Sequence, residues 1–202
     1  MRQWIATIGL IVLCLTAQVQ AATVLVVGDS ISAAYGLETQ QGWVALLQER
    51  LQQQDDDISV INASISGDTT AGGLARFPDL LVQHQPQIVI IELGGNDGLR
   101  GLSLEHMAAN LTSMVQQAKQ ADAKVLLLGM RLPGNYGRRY TDAFYNVYQN
   151  IATQEEVALV DFFLEGVGAV DGMMQADGVH PTQSAQPLLL ENAWQGFAPL
   201  LP

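Results

Sequence analysis

Five short runs rich in Val, Ile and Leu recur along the chain, each followed by an amphipathic stretch. This alternation constrains the fold more than any other feature. The runs span residues 23–27, 58–62, 87–93, 124–130 and 157–161. They lack the polar–apolar alternation of a half-exposed sheet and read as strands buried on both faces. Between them lie stretches with helical spacing at 42–54, 70–83, 103–121 and 140–154, and a last helix is expected from about Pro181 to Phe197. In 103–121 the apolar positions Leu104, Met107, Ala108, Leu111, Met114, Val115 and Ala118 recur at intervals of three and four, which marks one buried helical face. Strand–helix alternation implies a parallel sheet covered on both sides and joined by right-handed crossovers. The fold class expected is therefore α/β, a three-layer sandwich around a five-stranded parallel sheet in the flavodoxin-like order 2-1-3-4-5. No internal repeat competes with it. Open sheets of this kind bind ligands beyond the carboxyl ends of their strands, near the point where strand order reverses.

The chain begins MRQWIATIGLIVLCLTAQVQA: one arginine, an uncharged apolar stretch from Trp4 to Ala17, then Val19 and Ala21 spaced as a small-residue cleavage site requires. Residues 1–21 read as a secretory signal peptide. The stretch is too short for a spanning helix, which needs about 20 apolar residues. Residues 22–202 then form a single domain in the periplasm or outside the cell, with no stable membrane anchor. The only cysteine, Cys14, leaves with the peptide, so no disulfide supports the fold and a hydrophobic core must. Losing Arg2 leaves eight Lys and Arg against 20 Asp and Glu, a formal charge of −12. Such a field repels phosphate backbones and argues against nucleic acid as a partner. The Asp55, Asp56, Asp57 run reads as a solvated loop rather than a metal site.

Chemistry-bearing residues collect at the expected sheet edge. The first strand runs into GDSIS, with Ser30 three residues past its end; the second leads into ISGDTTAGG, with Gly67; the third into ELGGNDG, with Asn96. A Gly-Asp-Ser turn alone is ordinary strand-end chemistry. Near the C-terminus, QADGVHPT sets Asp177 three residues before His180, and Pro181 is expected to place the imidazole at the start of the last helix. By itself that segment fits a helix start held by turn hydrogen bonds, a weak Asp–His metal pair, or an oriented base. His84 and His106 have no carboxylate at such spacing and read as surface residues.

The four pieces together fill every role of nucleophilic acyl transfer. A serine needs a base to take its proton, and the tetrahedral product of its attack needs donors for its oxyanion. Ser30 supplies the nucleophile, His180 the base and Asp177 its orientation; the amides of Ser30 and Gly67 and the side chain of Asn96 supply the donors. Competing motifs fail: Gly67 to Gly72 has phosphate-loop spacing, but Gly73 and Leu74 stand where Lys and Ser or Thr should follow. GDSIS lacks the second glycine of a GxSxG elbow.

These four blocks, GDSI, SGDTT, GGND and DGVH, resemble those of the SGNH hydrolases of the GDSL type, with Ile31 in place of the usual leucine. NASISGDT, LARFPDLL, IELGGNDGLRG, RLPGNYGRRY and QADGVHP extend the resemblance over the whole mature chain, towards the bacterial thioesterase, protease and lysophospholipase branch and its arylesterase relatives. The resemblance implies the SGNH hydrolase fold, a periplasmic enzyme without metal or cofactor, and small-molecule substrates: acyl thioesters, lysophospholipids and aryl or short-chain esters. It leaves the oligomeric state open. It also implies a mobile loop at 98–103, where the glycines suit a hinge or a rigid turn equally. RLPGNYGRRY, 131–140, suits either an anion-facing pocket wall or the packing of a helix start; Met173 and Met174 suit the acyl groove or ordinary loop packing. Two rivals are a carbohydrate acetylesterase carrying the same blocks and an exported binding protein with a degenerate site.

Overall fold

The computed structural model describes residues 22–54 and 57–201. Residues 1–21, where the signal peptide is expected, and Asp55, Asp56 and Pro202 lie outside them. Five parallel strands, β1 (Ala22–Gly28), β2 (Ile58–Asn62), β3 (Ile88–Glu92), β4 (Lys124–Leu128) and β5 (Ala158–Val160), form one sheet in the order β2-β1-β3-β4-β5. Helices α1 (Trp43–Gln53) and α6 (Gln186–Phe197) pack together on one face. On the other lie α2 (Thr70–His84), α4 (Leu104–Gln120) and α5 (Arg138–Glu155), while the short α3 (Gly95–Leu99) follows β3 at the sheet edge. No helix among the described residues is long and apolar enough to cross a membrane.

Hydrophobic composition explains the layers. Val24 to Val27 and Val89 to Ile91 are essentially inaccessible, as sheet-centre residues covered by helices on both sides must be. The apolar stripe of α4 supplies Met107, Leu111, Met114, Val115 and Ala118 to the core, with Leu104 and Ala108 half-buried at its margin. The Ser103 hydroxyl caps α4 by accepting from the His106 amide, and Thr69 caps α2 by accepting from Gly72.

Three differences from the sequence reading have local causes. The edge strands β2 and β5 are only half-buried, because an edge lacks a neighbour on one side. Helix α5 begins at Arg138, two residues before the expected start, because Gly137 (φ +83°) turns the chain into it. The last helix begins at Gln186, not Pro181. Pro181 instead pairs with Met174 in an antiparallel bridge and the Thr182 amide donates to Met173 O at 2.8 Å, so a 3-10 turn over Gln183–Ala185 intervenes. His180 therefore stands on a closed loop rather than at a helix start.

Strand register sets up the site. Gly28 pairs with Glu92 across β1 and β3, and Val26 with Asn62 across β1 and β2. β1 is thus the switch strand, and the segments leaving β1, β2 and β3 emerge side by side at one edge.

Candidate active site

The turn carrying Ser30 is built first. Beyond Gly28 the chain bends so that the Ala33 amide donates to Asp29 O and the Tyr35 amide to Ser30 O, each at 3.0 Å. Asp29 folds back and its Oδ1 accepts from the Ile31 amide at 3.1 Å. Underneath, the fully buried Glu92 at the end of β3 accepts through Oε2 from the Ser32 hydroxyl at 2.7 Å and from the Asp29 and Ser32 amides at 3.3 Å. Its Oε1 has no partner among the described residues. The two oxygens are thus unequal, Oε2 accepting three donors and Oε1 none. Burial, reinforced by the Asp29 charge, pushes this carboxyl well above the usual range.

The loop bearing His180 closes over that turn. The Gln175 amide donates to His180 O at 2.7 Å, and the Gln175 side chain donates to Tyr35 O and Pro181 O at 2.9 and 3.0 Å, joining the two segments. His180 Nε2 lies 2.9 Å from Ser30 Oγ, and its Nδ1 lies 2.7 Å from Asp177 Oδ2. The other Asp177 oxygen accepts from the Val179 and His180 amides at 2.9 and 3.0 Å. The imidazole and these two amides hold the Asp177 carboxyl far below the usual carboxylate range, so it stays ionised although exposed. An ionised acceptor on Nδ1 puts the ring hydrogen there and leaves Nε2 to accept from the serine. The Tyr35 ring covers the imidazole at a centroid distance of 4.3 Å.

Ser30, Gly67, Asn96 and His180 line one cavity of about 1080 Å3. Gly67 adopts φ +79°, open to glycine and strained for other residues, and neither its amide nor that of Ser30 donates to a backbone acceptor in the described residues. Asn96 sits in α3, a helix the sequence reading missed, and its Nδ2 donates to Asp29 Oδ2 at 3.0 Å. Burial raises Asp29 from 3.8 to about 6, against the opposing effects of the Ile31 amide, Asn96 and His180. Sequence reading also missed Asp97, buried and accepting from the Thr70 amide and hydroxyl at 2.9 and 2.6 Å, which fastens α3 to the start of α2.

The remaining cavity wall is mainly apolar, with Met130, Leu132, Phe162, Leu164, Val170 and Met174 among its residues and Arg131 and Asp171 as charged exceptions. Both Met173 and Met174 pack against the core, and Met174 also lines the cavity. The three arginines of 131–140 do not converge. Arg131 lines the cavity with its guanidinium over the Tyr145 and Phe162 rings, while Arg138 and Arg139 border a separate shallow depression with Tyr136 and Tyr140. Gly98 is buried in packing: a Cβ there would meet Phe144 and Leu132 at 2.5 and 2.8 Å. His106 is exposed and His84 half-buried at the end of α2. Among the described residues no group of three or more His, Cys, Asp or Glu is arranged to hold a metal ion.

Comparison with known proteins adds to this geometry. Residues 26–186 match the sequence profile of the GDSL-like Lipase/Acylhydrolase family. The chain is 63% identical over 187 residues to "Esterase TesA" of Pseudomonas aeruginosa, covering 93% of each chain. It is 46% identical over 181 residues to "Thioesterase 1/protease 1/lysophospholipase L1" of Escherichia coli K12, covering 90% of this chain and 86% of that one. The crystal structure of a TesA superposes with a TM-score of 0.87 at 64% identity, over 89% of this chain and 99% of the other.

Proposed function

The chain belongs to the GDSL-like Lipase/Acylhydrolase family, and on that premise we propose that Ser30, His180 and Asp177 are the catalytic triad of an esterase, with Ser30, Gly67 and Asn96 as its oxyanion donors. The observation that carries the assignment is the continuous relay from Ser30 Oγ to His180 Nε2 at 2.9 Å and from His180 Nδ1 to Asp177 at 2.7 Å. As Ser30 Oγ attacks the acyl carbon, its proton passes to Nε2, and Asp177 stabilises the imidazolium that forms. Negative charge then develops on the acyl oxygen, where the Ser30 and Gly67 amides and the Asn96 Nδ2 hydrogen not used by Asp29 are available to it. Collapse of the adduct breaks the bond to the leaving group, which takes the proton from His180 and leaves an acyl-enzyme on Ser30. Water, deprotonated by the same imidazole, attacks this ester and restores the serine.

A large cavity with a mainly apolar wall suits a hydrocarbon chain better than a sugar. Acyl thioesters, lysophospholipids and aryl or short-chain esters are accordingly the proposed substrates, ahead of acetylated carbohydrates. With residues 1–21 acting as an export signal, the mature enzyme works in the periplasm or outside the cell. Hydrolysis rates over acyl thioesters and aryl esters of graded chain length, beside acetylated sugars, test this reading in wild type and Ser30→Ala. The proposal requires turnover of the acyl series that Ser30→Ala abolishes. Preference for acetylated sugars would refute the substrate class, and turnover surviving in the variant would refute the nucleophile.

A further inference from the structure

The Asn96 amide is held at both ends by charged side chains. Its Nδ2 donates to Asp29 Oδ2 at 3.0 Å, and its Oδ1 accepts from Arg100 Nη2 at 3.3 Å. The same Arg100 nitrogen donates to the Gly67 carbonyl at 2.8 Å. We propose that Arg100, opposed by Asp29, is a positioning residue of the oxyanion site: it sets which way round the Asn96 amide sits and ties the segment carrying Gly67 to the helix carrying Asn96. The inference rests on the donor roles assigned above to Gly67 and Asn96.

An asparagine amide is nearly symmetric in shape, so rotation by half a turn exchanges its oxygen and nitrogen at little steric cost. Hydrogen-bond partners decide the orientation. A carboxylate can only accept and a guanidinium can only donate. The reversed amide would set its oxygen against Asp29 and its NH2 against Arg100, losing both charge-assisted hydrogen bonds. In the observed orientation one Nδ2 hydrogen is spent on Asp29 and the other is left for an acyl oxygen. A carbonyl oxygen turned to that place would repel the charge it should stabilise.

Topology supplies a second reason for the contact. Gly67 follows β2 and Asn96 follows β3, and β1 separates those strands, so no sheet hydrogen bond sets the distance between the two donors. Among the described residues, Arg100 Nη2 is the only neighbour that a Cβ on Gly67 would meet within 4 Å. The bulk of the two segments is fastened from below by the buried Asp97–Thr70 pair. Exposed Arg100 therefore adjusts the donors without holding the fold, and its loss leaves a folded enzyme with a less ordered oxyanion site.

The test is a double-mutant cycle on an aryl ester, measuring kcat and KM for wild type, Arg100→Met, Asn96→Ala and the pair. Arg100→Met should lower kcat about tenfold, a fraction of the loss expected for removing a donor outright, with KM moved by less than about twofold. Arg100→Lys, able to reach one acceptor, should recover part of the loss. In the Asn96→Ala background Arg100→Met should have a clearly smaller effect, because the side chain it orients is gone and only its hold on the Gly67 carbonyl remains. An unchanged kcat in Arg100→Met would overturn the proposal. So would the same loss in both backgrounds, which is the result expected if Arg100 acted by its charge alone or only as a structural support. An Asn96→Ala enzyme with undiminished kcat would remove the donor role itself, and with it this inference, and that failure is read from a different corner of the cycle.

Discussion

Replacing Asp29 by Asn should make the protein relatively more stable as pH rises while making it a poorer enzyme. Asp29 is 3% exposed, and burial lifts its carboxyl from 3.8 to about 6. An acid with a raised folded-state pKa favours its neutral form in the native protein. Its contribution to stability is fully present below 3.8 and is lost as pH climbs through about 6. At about 1.4 kcal/mol per pH unit, the gap between those values amounts to about 3 kcal/mol by neutral pH, of which about 2 kcal/mol falls between about pH 4.5 and pH 7.5. Asparagine carries no charge to desolvate and escapes this loss. Urea unfolding followed by tryptophan fluorescence should show the stability of Asp29→Asn relative to wild type rising by about 2 kcal/mol over that interval and levelling off above it. Its kcat should fall, because the carboxylate that accepts from Asn96 is gone. Wild-type and variant stabilities that run parallel across the interval would refute the raised carboxyl. A variant that gained relative stability with undiminished kcat would refute its part in orienting Asn96.

Three further outcomes follow from the same geometry. Glu92→Gln, which preserves a neutral acceptor for the Ser32 hydroxyl and the two amides, should keep kcat within about threefold, whereas Glu92→Ala should strand those donors and cost about 1–3 kcal/mol in denaturant unfolding; equal damage from both would mean that the carboxyl is ionised. Hydrolysis should have an acid limb, since burial raises Asp29 to about 6 and only its carboxylate accepts from Asn96 as a charged partner, while Asp177, already ionised throughout, should add nothing to it; a rate flat from about pH 5 to 8 would contradict the part of Asp29 in orienting Asn96. Gly98→Ala should lower stability by about 1–3 kcal/mol by driving a methyl group into Phe144 and Leu132, and an unchanged melting temperature would show that α5 yields instead.

Local pattern was enough for much of this molecule. The strands announce themselves because residues covered on both faces must be apolar throughout, and Met107, Leu111 and Met114 reveal the inner face of α4 by spacing alone. Ser30, Asp177 and His180 are legible because each stands in a short turn whose chemistry is carried by adjacent residues. The start of the last helix was not legible. Proline suits a first helical turn in general, but here Met173 and Met174, eight and seven residues upstream of Pro181, capture the Pro181–Thr182 backbone. The support behind the Ser30 turn escaped for a related reason. Glu92 meets the turn of residues 29–32 only after β1 and β3 have paired, and its one sequence signal is a carboxylate ending the otherwise apolar run IVIIE. Arg100 gives less warning still, since an exposed arginine after a glycine-rich turn looks like an ordinary solvated charge until the fold sets Gly67 beside it.

The central claim is that Ser30 Oγ, activated by His180, is the atom that attacks the acyl carbon. Intact-protein mass spectrometry after exposure to an aryl phosphonate ester, followed by peptide mapping, tests it most directly. The account predicts one adduct per chain, located on Ser30, absent from Ser30→Ala and formed far more slowly in His180→Ala. An adduct on another residue, or labelling at Ser30 that proceeds as fast without the imidazole, would contradict it.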